Sequence, residues 1–279
     1  MANPSMRFPG GRAKALTLSY DDGIFEDYRL IEIMTAHGLK GTFNINAGLL
    51  GTEPAKAHRE RLTLEQVKAL YRPSGNELAL HGYTHPHLEE MSRDRIAYEI
   101  VMDRVGQESA TGEIVRGIAY PFGTTNETVV DCLEACGVAY ARTVTSTGGF
   151  SIPAETRDWL RLPATCHHND GRLMDLADRF LALPRRTIDP CVMFYLWGHA
   201  YEFAINNNWE VIETFAQKMG GHDDIWYATN IEICDYVEAY RRLQWSADGR
   251  IVYNPTATTL WFCNGSTLVE LKSGETRVV

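Results

Sequence analysis

The sequence predicts an α/β fold, a distorted (β/α) barrel followed by a short C-terminal β appendage. Short β-like runs alternate with amphipathic helical stretches, which is typical of βα units around a mainly parallel sheet. From residue 246 onward the apolar residues are instead broken by Asn-Pro, Asn-Gly and Ser-Gly turn pairs, which favours a few short strands. We therefore expect a barrel domain over residues 1–245 and a β-rich appendage over 246–279.

The predicted strands are apolar runs bounded by turn or helix signals. They lie at residues 15–20, 41–46, 77–80, 115–120, 138–143, 159–163, 191–197 and 225–229. The run at 191–197, CVMFYLW, has no polar face, so we expect it to be buried on both sides of the sheet. About eight strands therefore alternate with helices, as a barrel requires.

Helices are predicted where apolar residues recur at helical spacing between start and stop signals. The predicted ranges are 25–37, 63–70, 92–111, 126–136, 209–219 and 232–243. Thr63 and Gln66 are spaced as a capping box at the start of the second helix. Gly38, Gly112 and Gly137 follow helical stretches and are expected to end them.

Charge and hydropathy exclude several classes of partner. The chain has 27 Lys and Arg against 36 Asp and Glu, a formal net charge of −9, and no basic stripe, so we expect no nucleic-acid partner. No apolar run reaches membrane-spanning length, and the N-terminal segment lacks the apolar core of an export signal. We therefore expect a cytoplasmic protein with no membrane partner.

Polar residues follow the ends of four predicted strands. They stand at 19–23 (SYDDG), 81–87 (HGYTHPH), 120–123 (YPFG) and 198–199 (GH). Barrels of this kind place their functional groups at the C-terminal ends of the strands, where the following loops converge. Two carboxylates and several imidazoles are therefore expected to meet in one cavity.

The adjacent Asp21 and Asp22 need a compensating positive charge, because two close carboxylates cannot both ionise cheaply. A metal cation would supply it, although a turn with a helix cap is the other interpretation of this pair. His81 and His85 are four residues apart and can point at one ion, or they can be solvated surface histidines. Imidazole and carboxylate ligands together suit zinc or a similar borderline metal.

At these motifs the sequence resembles the polysaccharide deacetylases with the NodB homology domain, carbohydrate esterase family 4. The resemblance rests on SYDDG at 19–23, HGYTH at 81–85, YPFG at 120–123 and, more loosely, LWGH at 196–199, in the order of the family. It spans roughly residues 12–243 and implies a NodB-type barrel.

The resemblance implies the following roles: metal ligands Asp22, His81 and His85; general base Asp21; general acid His199; oxyanion donor the backbone N–H of Phe122. The implied cofactor is a divalent metal, Zn²⁺ first, with Co²⁺, Ni²⁺ or Mn²⁺ as alternatives. Three protein ligands would leave room at the metal for water and a substrate carbonyl. Candidate substrate contacts are Tyr120, Pro121, Phe122, Trp197 and His168.

One departure from the family concerns the partner of the base. The family commonly has an arginine two residues before the proline of the third motif, and this chain has Ala119 there. Arg161 and Arg142, on other predicted strands, are the candidates to supply the missing charge. The aspartate-tryptophan motif of the family corresponds only weakly to residues 158–159.

The leading hypothesis is hydrolysis of the acetamide of an N-acetylated amino sugar, with release of acetate. A second hypothesis keeps the metal site but gives it a small non-sugar amide, ureide or imide as substrate. A third is a non-catalytic carbohydrate-binding protein on a decayed deacetylase fold, for which Ala119 is the one favourable feature. The oligomeric state is left open.

Overall fold

The structure is a computed structural model that describes residues 4–53, 59–71, 73–184, 186–187 and 189–279. Its strands are β1 (Ser5–Arg7), β2 (Lys14–Asp21), β3 (Gly41–Ile45), β4 (Glu77–Leu80), β5 (Gly117–Ala119), β6 (Tyr140–Ser146), β7 (Leu162–Ala164), β8 (Cys166–His167), β9 (Val192–Gly198), β10 (Ile225–Tyr227), β11 (Gln244–Trp245), β12 (Ile251–Tyr253), β13 (Leu260–Asn264), β14 (Thr267–Leu271) and β15 (Thr276–Val278). Its helices are α1 (Asp27–Ala36), α2 (Leu64–Leu70), α3 (Arg93–Thr111), α4 (Glu127–Ala135), α5 (Leu173–Ala182), α6 (Ala200–Asn206), α7 (Glu210–Met219) and α8 (Asn230–Arg241).

Parallel strands curve into a nearly closed barrel, which confirms the predicted fold class. Their order is β7-β6-β5-β4-β3-β2-β9-β8, and β10 pairs with the first half of β2. Strands β7 and β8 are consecutive parts of one segment, which pairs with β6 at Leu162 and with β9 at Cys166. This segment joins the two ends of the sheet.

The central strands are buried on both faces. Every residue of β2 is buried, and β9 is buried from Met193 onward, as its continuous apolar sequence predicts. The outer face of this sheet packs against α1, α5 and α7, in a hydrophobic cluster that joins Leu16 and Phe194 to Phe180 and Phe215. Because β2 and β9 are packed on both faces, their ends are held in place. The residues that follow each strand are positioned accordingly.

Several predicted start and stop signals are confirmed by the helix ends. The Thr63 hydroxyl accepts a hydrogen bond from the Gln66 N–H, and the Gln66 side chain accepts one from the Thr63 N–H at 2.8 Å. Gly38, Gly112 and Gly137 lie just beyond α1, α3 and α4 with φ of 66°, 71° and 76°. Glycine is the residue that adopts this left-handed conformation without steric cost.

The region before β9 differs from the sequence prediction. Trp159 lies in a short 3₁₀ segment (Thr156–Arg161), and the strand expected at 159–163 begins only at Leu162. The Trp159 side chain is fully buried, and its Nε1 donates to Glu238 at 3.0 Å, so its apolar character reflects packing against α8. Helices α5 and α6 were not predicted.

The C-terminal tail is rich in strands, as expected, and packs against the barrel. Strand β13 pairs antiparallel with β1 near the N-terminus, and β12 lies between β11 and β15. Val252, Leu260 and Phe262 are fully buried in one hydrophobic cluster with Ala15 and Met193 of the barrel strands. The tail therefore shares a core with the barrel, and a domain boundary at residue 245 stays a prediction.

Two features of the described chain concern its surroundings and its thiols. No helix among the described residues has the length and apolarity needed to cross a membrane. All six cysteines are unpaired, and five of them are buried. The five buried thiols pack in the hydrophobic interior, consistent with the absence of CxxC spacing in the sequence.

Candidate active site

The four predicted strand ends meet around one cavity of about 610 Å³ at the C-terminal end of the barrel. The predicted residues that line it are Asp21, Asp22, His81, His85, Tyr120, Phe122, Trp197 and His199. Tyr201 also lines it, as do Arg59 and Arg61, two arginines that were not predicted. Residues far apart in sequence converge here because parallel strands end at the same edge of the barrel.

Asp22, His81 and His85 form a cluster that fits a divalent metal. One potential ligand atom from each lies within 4.8 Å of those of the other two. Burial lowers the pKa of His81, and it lowers that of His85 to about 4, so both imidazoles are neutral near pH 7. Burial opposes ionisation of Asp22, but the charge of Arg61, together with His81, His199 and His85, outweighs it and lowers the pKa. Neutral imidazoles and a carboxylate are the donor set that zinc prefers.

Neighbouring groups fix the orientation of His81. Its Nδ1 lies 2.8 Å from the carbonyl oxygen of Ala119, and because a carbonyl can only accept, Nδ1 carries the proton. The Nε2 lone pair is therefore free to bind a metal. Asp103 accepts the backbone N–H of His81 at 2.9 Å, and Asn46 donates to the His81 carbonyl at 2.6 Å. These supporting residues were not identified from the sequence.

Backbone strain is concentrated at the cavity. Of the four non-glycine residues with positive φ in the described part of the chain, three are Asp22 (88°), His85 (57°) and Phe122 (60°). Such conformations cost roughly 1–3 kcal/mol each and persist only where the surrounding structure enforces them. The strain thus coincides with two metal-ligand candidates and the candidate oxyanion donor.

Asp21 is held by Arg142. The Nη2 of Arg142 lies 2.5 Å from one carboxylate oxygen of Asp21 and also contacts the other, and both side chains are buried. Asn44 donates to the same carboxylate at 2.9 Å. Burial raises the pKa of Asp21, but the charge of Arg142, with smaller contributions from His81 and His199, lowers it to about 2.

The expectation that Arg161 pairs with the base is therefore wrong, and the other candidate, Arg142, takes that place. Arg161 ends the 3₁₀ segment on the outside of the barrel and pairs with the exposed Glu127 at 2.6 Å. Arg142 lies on β6 with its side chain 1% exposed, and its guanidinium stacks on Trp197 at 4.5 Å. The Arg142 side chain extends from its strand into the barrel interior, whereas the Arg161 side chain extends outward to Glu127.

His199 is oriented by Glu202, three residues later in the first turn of α6. The His199 Nδ1 lies 3.1 Å from Glu202 Oε1, so Nδ1 carries the proton, and Nε2 faces Asp21 Oδ2 at 3.9 Å. Burial alone would lower the pKa of His199, but Glu202, Asp21 and Asp22 outweigh it and raise the pKa. Sequence reasoning missed Glu202, although an acid three residues after a histidine at a helix start was a usable signal.

Asp158, the weak match to the aspartate-tryptophan motif of the family, does not line the cavity. Its carboxylate accepts the backbone N–H of Glu155 at 3.0 Å and caps its own 3₁₀ segment. Asp158 and the other residues of the segment 155–161 lie outside the cavity. The carboxylate beside His199 thus comes from a different part of the chain.

His168 does not reach the cavity, which contradicts its predicted role as a substrate contact. Its side chain is 0% exposed and is stacked on Phe203, with ring centroids 4.1 Å apart, and on Tyr20 at 5.8 Å. Its Nε2 lies 2.9 Å from Glu202 Oε2, and His167 Nε2 is 3.2 Å from the same oxygen. His168 is therefore buried behind Glu202, close to its carboxylate but without a hydrogen bond of regular geometry.

Aromatic side chains form part of the cavity wall. Tyr120 is immobilised because its hydroxyl donates to the Leu160 carbonyl at 2.7 Å. Phe122 is 52% exposed and stacks on His87, with ring centroids 3.8 Å apart. Pro121, between them, is buried and does not line the cavity, so its predicted substrate contact is not supported by the structure.

The chain is similar to known proteins both in sequence and in structure. Residues 9–141 match the family model described as polysaccharide deacetylase, a range that contains the SYDDG, HGYTH and YPFG motifs. A protein of the polysaccharide deacetylase type from Mycobacterium smegmatis aligns over 86% of this chain and 96% of its own, with 16% identity and a TM-score of 0.59. A carbohydrate esterase family 4 pseudoenzyme from Bacillus anthracis aligns over 83% of this chain and 68% of its own, with 17% identity and a TM-score of 0.51.

A third solved structure shares a smaller part of the chain. A deacetylase from Streptococcus pyogenes in complex with acetate aligns over 52% of this chain and 61% of its own, with 24% identity and a TM-score of 0.46. A comparison with curated proteins found no significant match. At these identities the structural likeness concerns the fold alone. The family match, which spans three motifs and slightly less than half of the chain, and the barrel fold support a NodB-type polysaccharide deacetylase.

Proposed function

We propose that the protein is a metal-dependent hydrolase that removes acetyl groups from N-acetylated amino sugars. The observation that carries the proposal is the convergence of a metal-ligand cluster with two proton-transfer groups in one cavity. Asp22, His81 and His85 supply the ligands, and Asp21 and His199 lie beside them. A divalent metal bound there, Zn²⁺ by its donor preference, would polarise the substrate carbonyl and lower the pKa of bound water.

Asp21 is suited to accept a proton from the attacking water. Its low pKa keeps the carboxylate ionised, and Arg142 and Asn44 hold it beside the ligand cluster. A general base must lie within hydrogen-bond reach of the proton that it removes. Asp21 Oδ2 lies 4.0 Å from His81 Nε2, so the carboxylate adjoins the proposed metal ligands.

His199 is suited to protonate the departing amine nitrogen. Glu202 binds its Nδ1 and raises its pKa, which favours the protonated form that a general acid needs. Its Nε2 faces the carboxylate of Asp21 across the cavity. The backbone N–H of Phe122 is the proposed second donor to the developing oxyanion, since Pro121 has no N–H to offer.

The intact set of side chains favours catalysis over the hypothesis of a decayed binding protein. Ala119 was the one feature in favour of decay, and Arg142 supplies the positive charge that its side chain lacks. The exposed ring of Phe122 and the indole of Trp197 in the cavity wall can lie against a sugar ring. These contacts support an amino-sugar acetamide as the first substrate class to test.

One experiment separates the three functional hypotheses. Purified protein is freed of metal with a chelator, reloaded with Zn²⁺, Co²⁺, Ni²⁺ or Mn²⁺, and incubated with N-acetylated mono- and oligosaccharides. We expect metal-dependent release of acetate, which Asp21→Asn abolishes. Ammonia release or ring opening from ureides and cyclic imides, without acetate release, would instead identify a small-amide hydrolase. Sugar binding without turnover at any metal would identify a binding protein.

A further inference from the structure

Arg59 is a cationic group in the cavity that has no anionic partner among the described residues. Its guanidinium stacks over the Tyr201 ring at 4.1 Å, and its Nη2 donates to the Tyr201 hydroxyl at 2.8 Å. In the part of the chain that the structure describes, Arg59 forms no ion pair, and its buried Nε has no hydrogen-bond partner. A buried donor without an acceptor costs roughly 1–3 kcal/mol, so this Nε marks a place where an acceptor would be stabilising.

The other two arginines near the cavity are already committed to acidic residues. Arg142 binds Asp21, and Arg61 lies 3.2 Å from Asp22 Oδ1 and 3.1 Å from Asn46 Oδ1. Their charges balance those of the two aspartates. The charge of Arg59 is left over, and Arg59 lines the same cavity as the proposed reacting groups.

We propose that Arg59 binds an anionic group, a carboxylate or a phosphate, on the amine half of the substrate. Guanidinium groups bind both anions through paired N–H donors in a fixed plane, and Nε with one Nη forms such a pair. This inference rests on the proposed function, since it takes His199 to face the leaving nitrogen. It narrows the substrate class from amino-sugar acetamides to acidic ones.

The position of Arg59 determines which half of the substrate carries the anion. Arg59 contacts Tyr201, and the Tyr201 ring lies 5.1 Å from the ring of His199, which protonates the amine nitrogen. The proposed oxyanion donor, Phe122, contacts His85 and His87 instead. An acidic group beside Arg59 is therefore attached to the sugar and not to the acyl group.

Matched substrates test this assignment. N-acetylmuramic acid adds a carboxylate, and N-acetylglucosamine 6-phosphate a phosphate, to the amine half of N-acetylglucosamine, whereas N-succinylglucosamine adds a carboxylate to the acyl half. We expect wild type to prefer one or both amine-half acids over N-acetylglucosamine by about 10- to 100-fold in kcat/KM, mainly through KM. Arg59→Gln should abolish that preference, and Arg59→Lys should retain part of it.

The control is Arg250→Gln, which removes an exposed arginine of the C-terminal tail that pairs with Asp248. Arg250→Gln should leave the ratio of kcat/KM between any two of these substrates unchanged. An equal preference in wild type and Arg59→Gln, or a preference only for the acyl-half acid, would overturn the inference. The two acid substrates also separate a carboxylate site from a phosphate site.

A binding measurement keeps this inference separate from the proposed function. Calorimetry with muramic acid, glucosamine 6-phosphate and glucosamine needs no turnover and reports the affinity for the amine half alone. Tighter binding of an acidic amine that Arg59→Gln removes supports the anion site even if no acetate is released. Acetate release with equal binding of all three amines by both proteins supports the proposed function and rejects the anion site.

Discussion

Ala119 and Arg142 are paired residues on the neighbouring strands β5 and β6. From this position the Arg142 guanidinium reaches Asp21, with Nη2 2.5 Å from Oδ1. The resemblance to the family places an arginine at position 119, and here the charge comes from one strand further along the barrel. Because paired residues on adjacent strands lie about 5 Å apart, a long side chain from either position can reach the same carboxylate.

Removing Arg142 should cost far more stability than removing Arg161. Arg142→Met leaves the buried Asp21 without its main cationic partner, a change that typically costs about 3–5 kcal/mol. Arg161→Met breaks a surface ion pair with Glu127 and should change the free energy of unfolding by roughly 0.5 kcal/mol or less. Urea unfolding of both variants in chelator provides the comparison. Equal losses would contradict the assignment of Arg142 as the partner.

Metal content should separate the two adjacent aspartates. Asp22→Ala or His81→Ala removes a ligand and should strip the metal, whereas Asp21→Asn should retain it and lose turnover by roughly 100-fold or more. Elemental analysis after dialysis, with acetate release measured in parallel, tests this division. Equal loss of metal from all three variants would show that Asp21 is itself a ligand.

Glu202→Gln should reduce turnover without removing metal. The carboxylate raises the pKa of His199, so its loss should lower that pKa and move the alkaline limb of the kcat/KM profile to lower pH. We expect kcat to fall roughly 10- to 100-fold, because the proposed acid His199 loses its orientation while the substrate contacts remain. Glu213→Gln, which removes an exposed partner of Arg29, is the control. An unshifted alkaline limb would exclude Glu202 as the residue that positions His199.

Gly198 should tolerate no side chain. A Cβ at this position would lie 2.1 Å from the Nδ1 of His168, which is held between Tyr20 and Phe203 and cannot retreat. Overpacking of this kind typically costs about 1–3 kcal/mol, so Gly198→Ala should lower Tm and, by displacing Glu202, also turnover. Gly171→Ala adds the same methyl group in open space and is the matched control. Similar Tm values for the two variants would contradict the tight packing of His168 between Tyr20 and Phe203.

Asp27 should make stability decline as pH rises. Burial raises its pKa from 3.8 to about 8, although the Tyr71 hydroxyl donates to its Oδ2 at 2.5 Å. A folded pKa above the unfolded value gives stability that is fully present below pH 4 and is lost as pH rises toward 8. The free energy of unfolding of Asp27→Asn, relative to that of wild type, should therefore be higher at pH 8.5 than at pH 5. An identical difference between the proteins at both pH values, in urea unfolding, would exclude this role.

Much of the barrel could be predicted because its signals are local. The bounds of β4 are those predicted, and the capping box of α2 follows from Thr63 and Gln66 alone. Helix α5 was predictable in principle, since its buried residues Leu173, Leu176, Ala177 and Phe180 have helical spacing. Trp159 misled the prediction because apolar character alone does not distinguish a buried 3₁₀ residue from a strand residue.

The candidate site was only partly accessible from sequence. The motif residues follow from their positions at strand ends, but the choice between Arg142 and Arg161 depends on which side chain enters the barrel. Likewise Glu202 serves His199 and His168 together, a relationship that only the fold creates. The Glu202–His199 contact has a local signature, whereas the Arg142–Asp21 and His168–Glu202 contacts join distant parts of the chain and have none.

The left-handed backbone at Asp22 lets two neighbouring acids share a cavity while contacting different partners. A regular strand directs successive side chains to opposite faces, whereas the φ of 88° at Asp22 brings its carboxylate to the same cavity as that of Asp21. Asparagine tolerates positive φ better than most side chains, so an acid-to-amide exchange at this position would preserve the turn. Asp22→Asn would remove a proposed metal ligand and leave the backbone unchanged. A barrel of this kind can therefore lose its activity without losing its fold.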